Sequence, residues 1–238
     1  MIHKTHTPRI RLGVVAVVLR MLMVCAPVIG VLTFLLLWQL AWKLNASAMP
    51  SPAPWDVLRH VAGDPQFYWS NGWQTAKEAT LGFLLAMVVG VSGGALLVNL
   101  PFMERAIQPI MVLIQVTPII AYAPAVVIWL DFGTKPVVFL SAVVCVVPFL
   151  QNAITGLRAV DPGALELARS VDASAAEVIW RLRLPSALPY LFVAARISVG
   201  LALVGATFGE FFAVVPKGLG HIVYRALLYN WKLQLFCW

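Results

Sequence analysis

Five polar side chains fall inside long apolar stretches, and these are residues with which the chain could do chemistry. They are Gln115, Thr117, Gln151, Asn152 and Glu210. An unsatisfied polar group in an apolar span costs on the order of several kcal/mol, so such groups usually face a cavity or a neighbouring helix. We therefore predict that they line a path for a polar solute, although Glu210 could instead meet water at the end of its span.

Pro118 belongs to the same set of path candidates. It follows Thr117 directly, and a proline in a membrane helix leaves backbone carbonyls without their usual donors. Those carbonyls can face a cavity, or the proline can simply kink the helix.

Catalytic and metal-binding patterns do not occur in the sequence. There is no HExxH, no GxSxG and no Walker A phosphate loop, and the three cysteines have neither CxxC nor zinc-like spacing. The four histidines fall in different loops and tails: His3, His6, His60 and His221. The sequence therefore predicts no catalytic residue, no metal site and no cofactor bound by this chain.

The composition indicates that lipid is the solvent of most of the chain. Hydrophobic residues make up 61% of the 238, charged residues 11%, and the mean hydropathy is +0.87. An ordinary soluble domain is about 25% charged. The net charge is +7, and the Lys and Arg residues that produce it lie between apolar runs rather than in one stripe. This distribution indicates residues that orient the chain in the membrane and contact anionic lipid, not a nucleic-acid-binding surface.

The hydropathy pattern predicts an all-α integral membrane protein, a polytopic bundle of about five transmembrane helices. A span needs about 20 mainly apolar residues. The predicted spans are 22–42, 80–100, 107–130, 137–150 (extending towards 154) and 188–208. Residues 45–78, rich in Pro and Trp, are predicted to form an interfacial segment outside the bilayer. A secretory signal peptide is the alternative interpretation of the apolar segment 22–42. This segment is longer than the apolar region of a signal peptide, which has about 7–15 residues.

The basic residues suggest an orientation and a division of the chain. Residues 1–20 form a basic leader, and residues 21–238 form one membrane domain with a polar loop at 156–185. Arginines concentrate in the leader and in that loop, so both are predicted to be cytoplasmic. The N-terminus is therefore predicted inside.

The loop 156–185 carries signals for two short capped helices. Asp161 can cap a helix that begins at Pro162, and Ser174 with Glu177 forms a capping box. Pro185 is predicted to help end the second helix. Either the loop is an ordinary connection, or it is a helix–turn–helix knuckle that a partner protein grips.

The knuckle resembles the EAA loop of binding-protein-dependent ABC permeases. That pattern is Glu-Ala-Ala, three residues, Gly, nine residues, then Ile-x-Leu-Pro, and the spacing here matches throughout. Three residue types depart from it, namely Leu167, Asp172 and Leu182. Asp tolerates the positive φ that the family glycine suits, so the turn is expected to survive. The resemblance implies that the ATPase-coupling residues are Glu166, Leu167, Ala168, Arg169, Asp172, Leu182, Leu184 and Pro185.

Other residues resemble the nitrate, sulfonate and taurine branch of these permeases, which includes thiamine-precursor transporters. The matching pieces include Thr117-Pro118, Ala123-Pro124, Gly209-Glu210-Phe211 and Gly218-Leu219-Gly220. The resemblance implies a type I ABC importer permease fold. Such permeases generally continue with one more span after the Gly-Leu-Gly, and that last span is expected to be missing here.

The resemblance also implies how the protein works and with what. It implies a multi-pass permease subunit of the bacterial inner membrane, which is not an enzyme, with ATP and Mg on a partner ATPase. The implied partners are an ATP-binding cassette ATPase subunit, a second permease copy in a homodimer, an extracytoplasmic solute-binding protein and membrane lipid. Nitrate, sulfonate or taurine, and a pyrimidine precursor remain open as solutes. The alternatives are a secondary transporter, and a membrane-embedded enzyme without an ATPase partner.

Overall fold

The computed structural model describes residues 9–44 and 52–229, and every regular element in these ranges is helical. The helices are α1 Arg9–Leu44, α2 Pro54–Gly63, α3 Pro65–Leu97, α4 Pro101–Val116, α5 Ile119–Leu130, α6 Thr134–Arg158, α7 Pro162–Ser170, α8 Ala175–Val178, α9 Leu184–Ala213 and α10 Leu219–Leu228. A π-helical turn, Ile179–Arg183, joins α8 to α9. The chain divides into two compact units, one holding α1 and α2 and the other α3 to α10.

The apolar helices confirm the predicted fold class. Within the described residues four helices are long and apolar enough to span a membrane, and α4 with α5 makes a fifth if the bent pair counts as one span. The four are Cys25–Leu44, Pro65–Leu97, Thr134–Arg158 and Ala175–Ala213. Each predicted span corresponds to one of these helices or to the bent pair.

The second span begins much earlier than predicted. Helix α3 starts at Pro65 rather than near residue 80, so the end of the predicted interfacial segment is part of the helix. Pro65 occupies the first turn, where its missing N–H costs nothing, and the Asp64 side chain accepts from the N–H of Phe67. With 33 residues, α3 is about 50 Å long, which exceeds the hydrocarbon thickness of about 30 Å.

The third span is broken, where one continuous span was predicted. Helices α4 and α5 meet at an angle of 104°. Thr117 is extended, with φ −72° and ψ 120°, because the following proline disfavours helical backbone at this position. Pro118 then precedes α5 with ψ 132° and has no N–H to continue the helix.

The prediction that Pro185 helps end a helix was wrong. The helix continues from Ala175 through the π turn to Ala213. In an ordinary α-helix the ring of Pro185 would clash with the carbonyl four residues earlier. The wider turn avoids this clash, and the N–H of Leu184 bonds to the carbonyl of Ile179, five residues back.

Helix α6 forms the centre of the larger unit, with α3 and α9 packed against it. Glycines allow these contacts to be close. A Cβ added at Gly90 of α3 would lie 2.5 Å from Cβ of Phe149, and one at Gly209 of α9 would lie 2.7 Å from Cα of Val137. Small residues allow membrane helices to approach closely, so these contacts fix α3, α6 and α9 as one packed group.

Candidate functional site

The first helix of the knuckle begins as its sequence predicts. Asp161 accepts a hydrogen bond from the N–H of Gly163 at 3.3 Å, and Pro162 occupies the first turn of α7. A carboxylate at this position also interacts favourably with the positive end of the helix dipole. The predicted cap at Asp161 is confirmed.

The turn between α7 and α8 contains a residue with positive φ, at the position where the EAA pattern has glycine. Asp172 has φ 51°, in the left-handed region. Two backbone hydrogen bonds close the turn, from the N–H of Asp172 to the carbonyl of Arg169 at 3.2 Å and from Ala173 to Ala168 at 3.0 Å. Asp is one of the few residues apart from glycine that adopt this conformation, so the turn forms although Asp172 replaces the glycine of the EAA pattern.

The second helix carries the predicted capping box. The N–H of Ser174 donates to Glu177 Oε2 at 3.0 Å, and the N–H of Glu177 donates to Ser174 Oγ at 3.3 Å. Since the chain continues through the π turn into α9, the knuckle is joined to the last long span without a loop.

The knuckle exposes apolar side chains. Leu167 is 67% exposed and Val171 is 69% exposed. Both line a cleft of about 310 Å³ between α7 and α8, which also includes Asp172, Glu177 and Arg181. Large apolar side chains grouped at a cleft in a polar loop indicate an interaction surface.

The eight predicted coupling residues divide by exposure. Glu166, Leu167, Arg169, Asp172 and Pro185 are exposed, and Ala168, Leu182 and Leu184 are partly buried. All eight lie on the knuckle or on the first turn of α9 that follows it.

Two of the predicted path residues meet across α4 and α6. Gln115 Nε2 lies 3.5 Å from Gln151 Oε1, and both side chains are exposed. Thr117 and Pro118 are exposed at the break just beyond Gln115. Asn152 is turned back to its own helix, where Nδ2 donates to the carbonyl of Pro148 at 2.9 Å.

A cavity of about 620 Å³ lies between α4 and α6 and has a polar end. Gln151 and Thr155 line it from α6, and Gln108 and Arg105 line it from α4. Glu104, also in its lining, accepts hydrogen bonds from both terminal nitrogens of Arg158, with Nη1 3.0 Å from Oε1. Polar and charged groups at a cavity between apolar helices are expected where a hydrophilic solute passes.

Glu210 is not grouped with the other path candidates. It is fully buried, so it does not meet water, and its Oε2 accepts from the N–H of Gly220 at 2.7 Å. The carboxyl also lies against Thr75 and Glu78 of α3. Its contacts are therefore with α3 and with the start of α10.

Sequence reasoning missed a buried polar face on α3. Asn71 Oδ1 accepts from the N–H of Gly218 at 2.9 Å, and Thr75 Oγ1 accepts from the N–H of Leu219 at 2.9 Å. Glu78, the third member, is 2% exposed. Their spacing of four and three residues marks one helix face, and that signal was available. It was overlooked because the segment was assigned to the membrane surface.

The described residues contain no group of three or more His, Cys, Asp and Glu side chains that could hold a metal ion. The long apolar helices define a multi-pass helical membrane protein. The match to a known family is specific. Residues 79–230 match the family described as "Binding-protein-dependent transport system inner membrane component", and the chain belongs to this family.

Relatives in several bacteria are permease components of importers. The chain is 27% identical over 220 residues to the bicarbonate transport system permease protein CmpB of Synechocystis sp., covering 88% of this chain and 79% of that protein. It is 26% identical to the formylaminopyrimidine transport permease protein ThiX of Halalkalibacterium halodurans, covering 84% and 80%. It is 29% identical to the taurine transport system permease protein TauC of Escherichia coli, covering 83% and 75%. The chain is accordingly an ABC importer permease component and not itself an enzyme.

A solved structure supports the fold. A chain of the inward-facing MetNI methionine ABC transporter superposes with a TM-score of 0.57 at 21% identity, covering 79% of this chain and 89% of that one. At this identity the match concerns the fold alone.

Proposed function

We propose that the knuckle seats in a groove of a separate ATP-binding cassette ATPase and couples ATP hydrolysis to movement of the spans. The observation that carries this proposal is the pair of exposed apolar side chains, Leu167 and Val171, at the cleft of a rigidly capped loop. Glu166, Arg169 and Asp172 surround them and give the contact its charges.

The coupling follows from the continuity of the helix. ATP binding closes the ATPase subunits, and the knuckles held in them move together as a two-state lever. Because α8 runs through the π turn into α9, the movement passes to α9 and to α6, which is packed against it. Small displacements of α9 are transmitted to α6 because the helices are closely packed at their glycines.

The distribution of basic residues supports an orientation of the chain in the membrane. Arginines at positions 105, 158, 169, 181 and 183 lie on or beside the knuckle side of the spans. We place this side and the N-terminal leader in the cytoplasm, by the positive-inside bias. ATP and Mg then reside on the partner ATPase, on that side of the membrane.

The solute path in this proposal runs along the broken span. Gln115, Thr117 and Pro118 border the break, and Gln151 of α6 contacts Gln115. Asn152 follows Gln151 on α6, but its side chain is bonded back to that helix. The exposed amides are half of a path that a second copy of the chain completes in a homodimer. For Glu210 the buried contacts favour a different role, which is to hold the turn before α10.

The solute is a small polar molecule delivered by an extracytoplasmic binding protein. Relatives carry names for bicarbonate, formylaminopyrimidine and taurine transport, all of which are small and hydrophilic. The exposed amides at the break suit such solutes because they can donate and accept hydrogen bonds.

The test is a tagged pull-down from native membranes in mild detergent, with partners identified by mass spectrometry. Wild-type chain is expected to recover an ATPase subunit, and Glu166→Arg is expected to lose it. Asp56→Arg is the control, since it reverses an exposed acidic residue on α2, outside the knuckle. If Glu166→Arg retains the ATPase as well as Asp56→Arg does, the knuckle is not the contact. If wild-type chain recovers no ATPase, the coupling proposal fails.

A further inference from the structure

An apolar groove lies between α3 and α9, with α6 as its floor. Its volume is about 580 Å³. The residues that define it include Met87, Val91, Ala95, Phe149, Leu188 and Phe192. Phe192 is 72% exposed, so the groove is open at its outer side. An open apolar surface on a membrane protein faces acyl chains or another protein.

A polar bridge at one end of this groove joins the chain just after α3 to the residue just before α9. Asn99 Nδ2 donates to the carbonyl of Ala95, which is in the groove wall, at 3.2 Å. Asn99 Oδ1 accepts from Nη1 of Arg183 at 3.0 Å. Leu184 also lines the groove, and Arg183 directly precedes it. The guanidinium of Arg183 therefore lies at the end of the groove.

This guanidinium has no counter-charge among the residues that the structure describes. No described carboxylate oxygen lies within 4.0 Å of it, and its Nε is buried without a hydrogen-bond partner among the described residues. Arginine is suited to phosphate because its planar group presents several donors at once. A cation without a carboxylate partner among the described residues, at the end of an apolar groove, complements a ligand with an anionic head and an apolar tail.

Trp180 lies at the same end of the groove. It is 70% exposed and lies in the groove wall three residues before Arg183. Tryptophan is enriched where the acyl chains meet the headgroups. We therefore expect the apolar part of the groove at acyl-chain depth and Arg183 at headgroup depth.

We propose that the groove binds an anionic phospholipid, with an acyl chain between α3 and α9 and the phosphate on Arg183. The proposal rests on the proposed function only for the orientation, which places Arg183 at the cytoplasmic leaflet, where anionic lipids are concentrated. An apolar helix of a second copy would match the apolar walls of the groove, but it would leave the guanidinium without a counter-charge. A bound lipid would link α3 to the start of α9, next to the knuckle.

The test uses purified full-length chain in vesicles with lipids brominated on their acyl chains, which quench nearby tryptophan fluorescence. The chain contains nine tryptophans, so the contribution of Trp180 is taken as the difference between wild type and Trp180→Phe. Brominated phosphatidylglycerol and brominated phosphatidylcholine with identical chains are compared. We expect phosphatidylglycerol to quench Trp180 at a mole fraction lower by roughly fivefold, the effect of one arginine at an anionic head.

Three variants separate the headgroup contact from general charge and from misfolding. Arg183→Gln is expected to abolish the preference for phosphatidylglycerol, and Arg183→Lys is expected to keep most of it. Arg105→Gln removes the same charge from an exposed residue that lines the α4–α6 cavity instead, and it is expected to leave the preference unchanged. The Arg183→Lys result shows that position 183 tolerates substitution, and size-exclusion profiles check that each variant is folded.

Each result that contradicts the lipid proposal identifies the part of it that fails. Equal quenching of wild type by the two lipids, or a preference that survives Arg183→Gln, overturns the headgroup contact. Absence of quenching by either lipid shows that protein covers the groove, which overturns lipid as the occupant. An ATPase pull-down of the same variants keeps the two proposals separate, because loss of the ATPase with lipid preference intact would assign Arg183 to the coupling contact instead.

Discussion

Replacing Gly218 by alanine tests how the turn before α10 is held in place. Gly218 has φ 141° and ψ 161°, a region that only glycine adopts readily. Its N–H donates to Asn71 Oδ1 at 2.9 Å. An added Cβ would also lie 2.5 Å from Glu210 Oε1, so the buried carboxyl would have to shift.

The magnitude follows from two separate effects. A residue other than glycine in this conformation costs about 1–3 kcal/mol. Forcing an extra methyl into a packed site costs about 1–3 kcal/mol more. We therefore expect Gly218→Ala to lower the free energy of unfolding by about 2–6 kcal/mol.

Two other glycines serve as matched controls for these effects. Gly133 has φ 113° and ψ −155°, but no atom lies within 4 Å of an added Cβ, so Gly133→Ala should show the backbone cost alone. Gly200 lies within α9 and also has no atom within 4 Å. Gly200→Ala should therefore be neutral, or stabilising by up to about 1 kcal/mol.

The assay is unfolding of the full chain in detergent, followed by intrinsic tryptophan fluorescence. The expected order of stability is Gly200→Ala, then Gly133→Ala, then Gly218→Ala. If Gly218→Ala is no less stable than Gly133→Ala, the carboxyl of Glu210 does not pack against the turn. If all three variants unfold alike, neither the strain nor the packing argument holds.

Two further predictions concern the knuckle and the path. Ser174→Ala removes the cap of α8 and should weaken the helix start by about 0.5–2 kcal/mol, seen as faster tryptic cleavage after Arg181. Unchanged cleavage would mean that the capping box does not stabilise the knuckle. In a cysteine-free background, Gln151→Cys should react with a hydrophilic maleimide, whereas Val88→Cys, exposed on an apolar helix, should not. Equal labelling of the two would contradict a water-accessible path beside α6.

Much of the knuckle could be predicted from sequence because its determinants are local. Asp161 and the Ser174–Glu177 pair satisfy helix-end donors two or three residues away, so residue type and spacing suffice to identify them. The positive φ at Asp172 was inferred in the same way, from a position where the EAA pattern has glycine. The apolar spans were predictable because a membrane requires length and hydropathy above all.

Whether a proline starts, breaks or lies within a helix could not be predicted from the sequence around it. Pro118 breaks its span by 104°, Pro65 starts a helix, and Pro185 lies within a continuous one. All three lack a donor, but the outcome depends on whether neighbouring turns can widen or neighbouring groups can cap. The π turn before Pro185 is such an adjustment, and no local signal predicted it.

The sequence by itself determined that this is a helical membrane permease component with a capped knuckle, because hydropathy and helix caps act within one span or one turn. Only the tertiary structure decided which polar groups meet. Glu210 and Gln151 both look like path residues in the sequence, yet the first is buried against Gly220 and the second lies exposed beside Gln115. The partners of a buried polar group are set by helices distant in the chain, and its role depends on those partners.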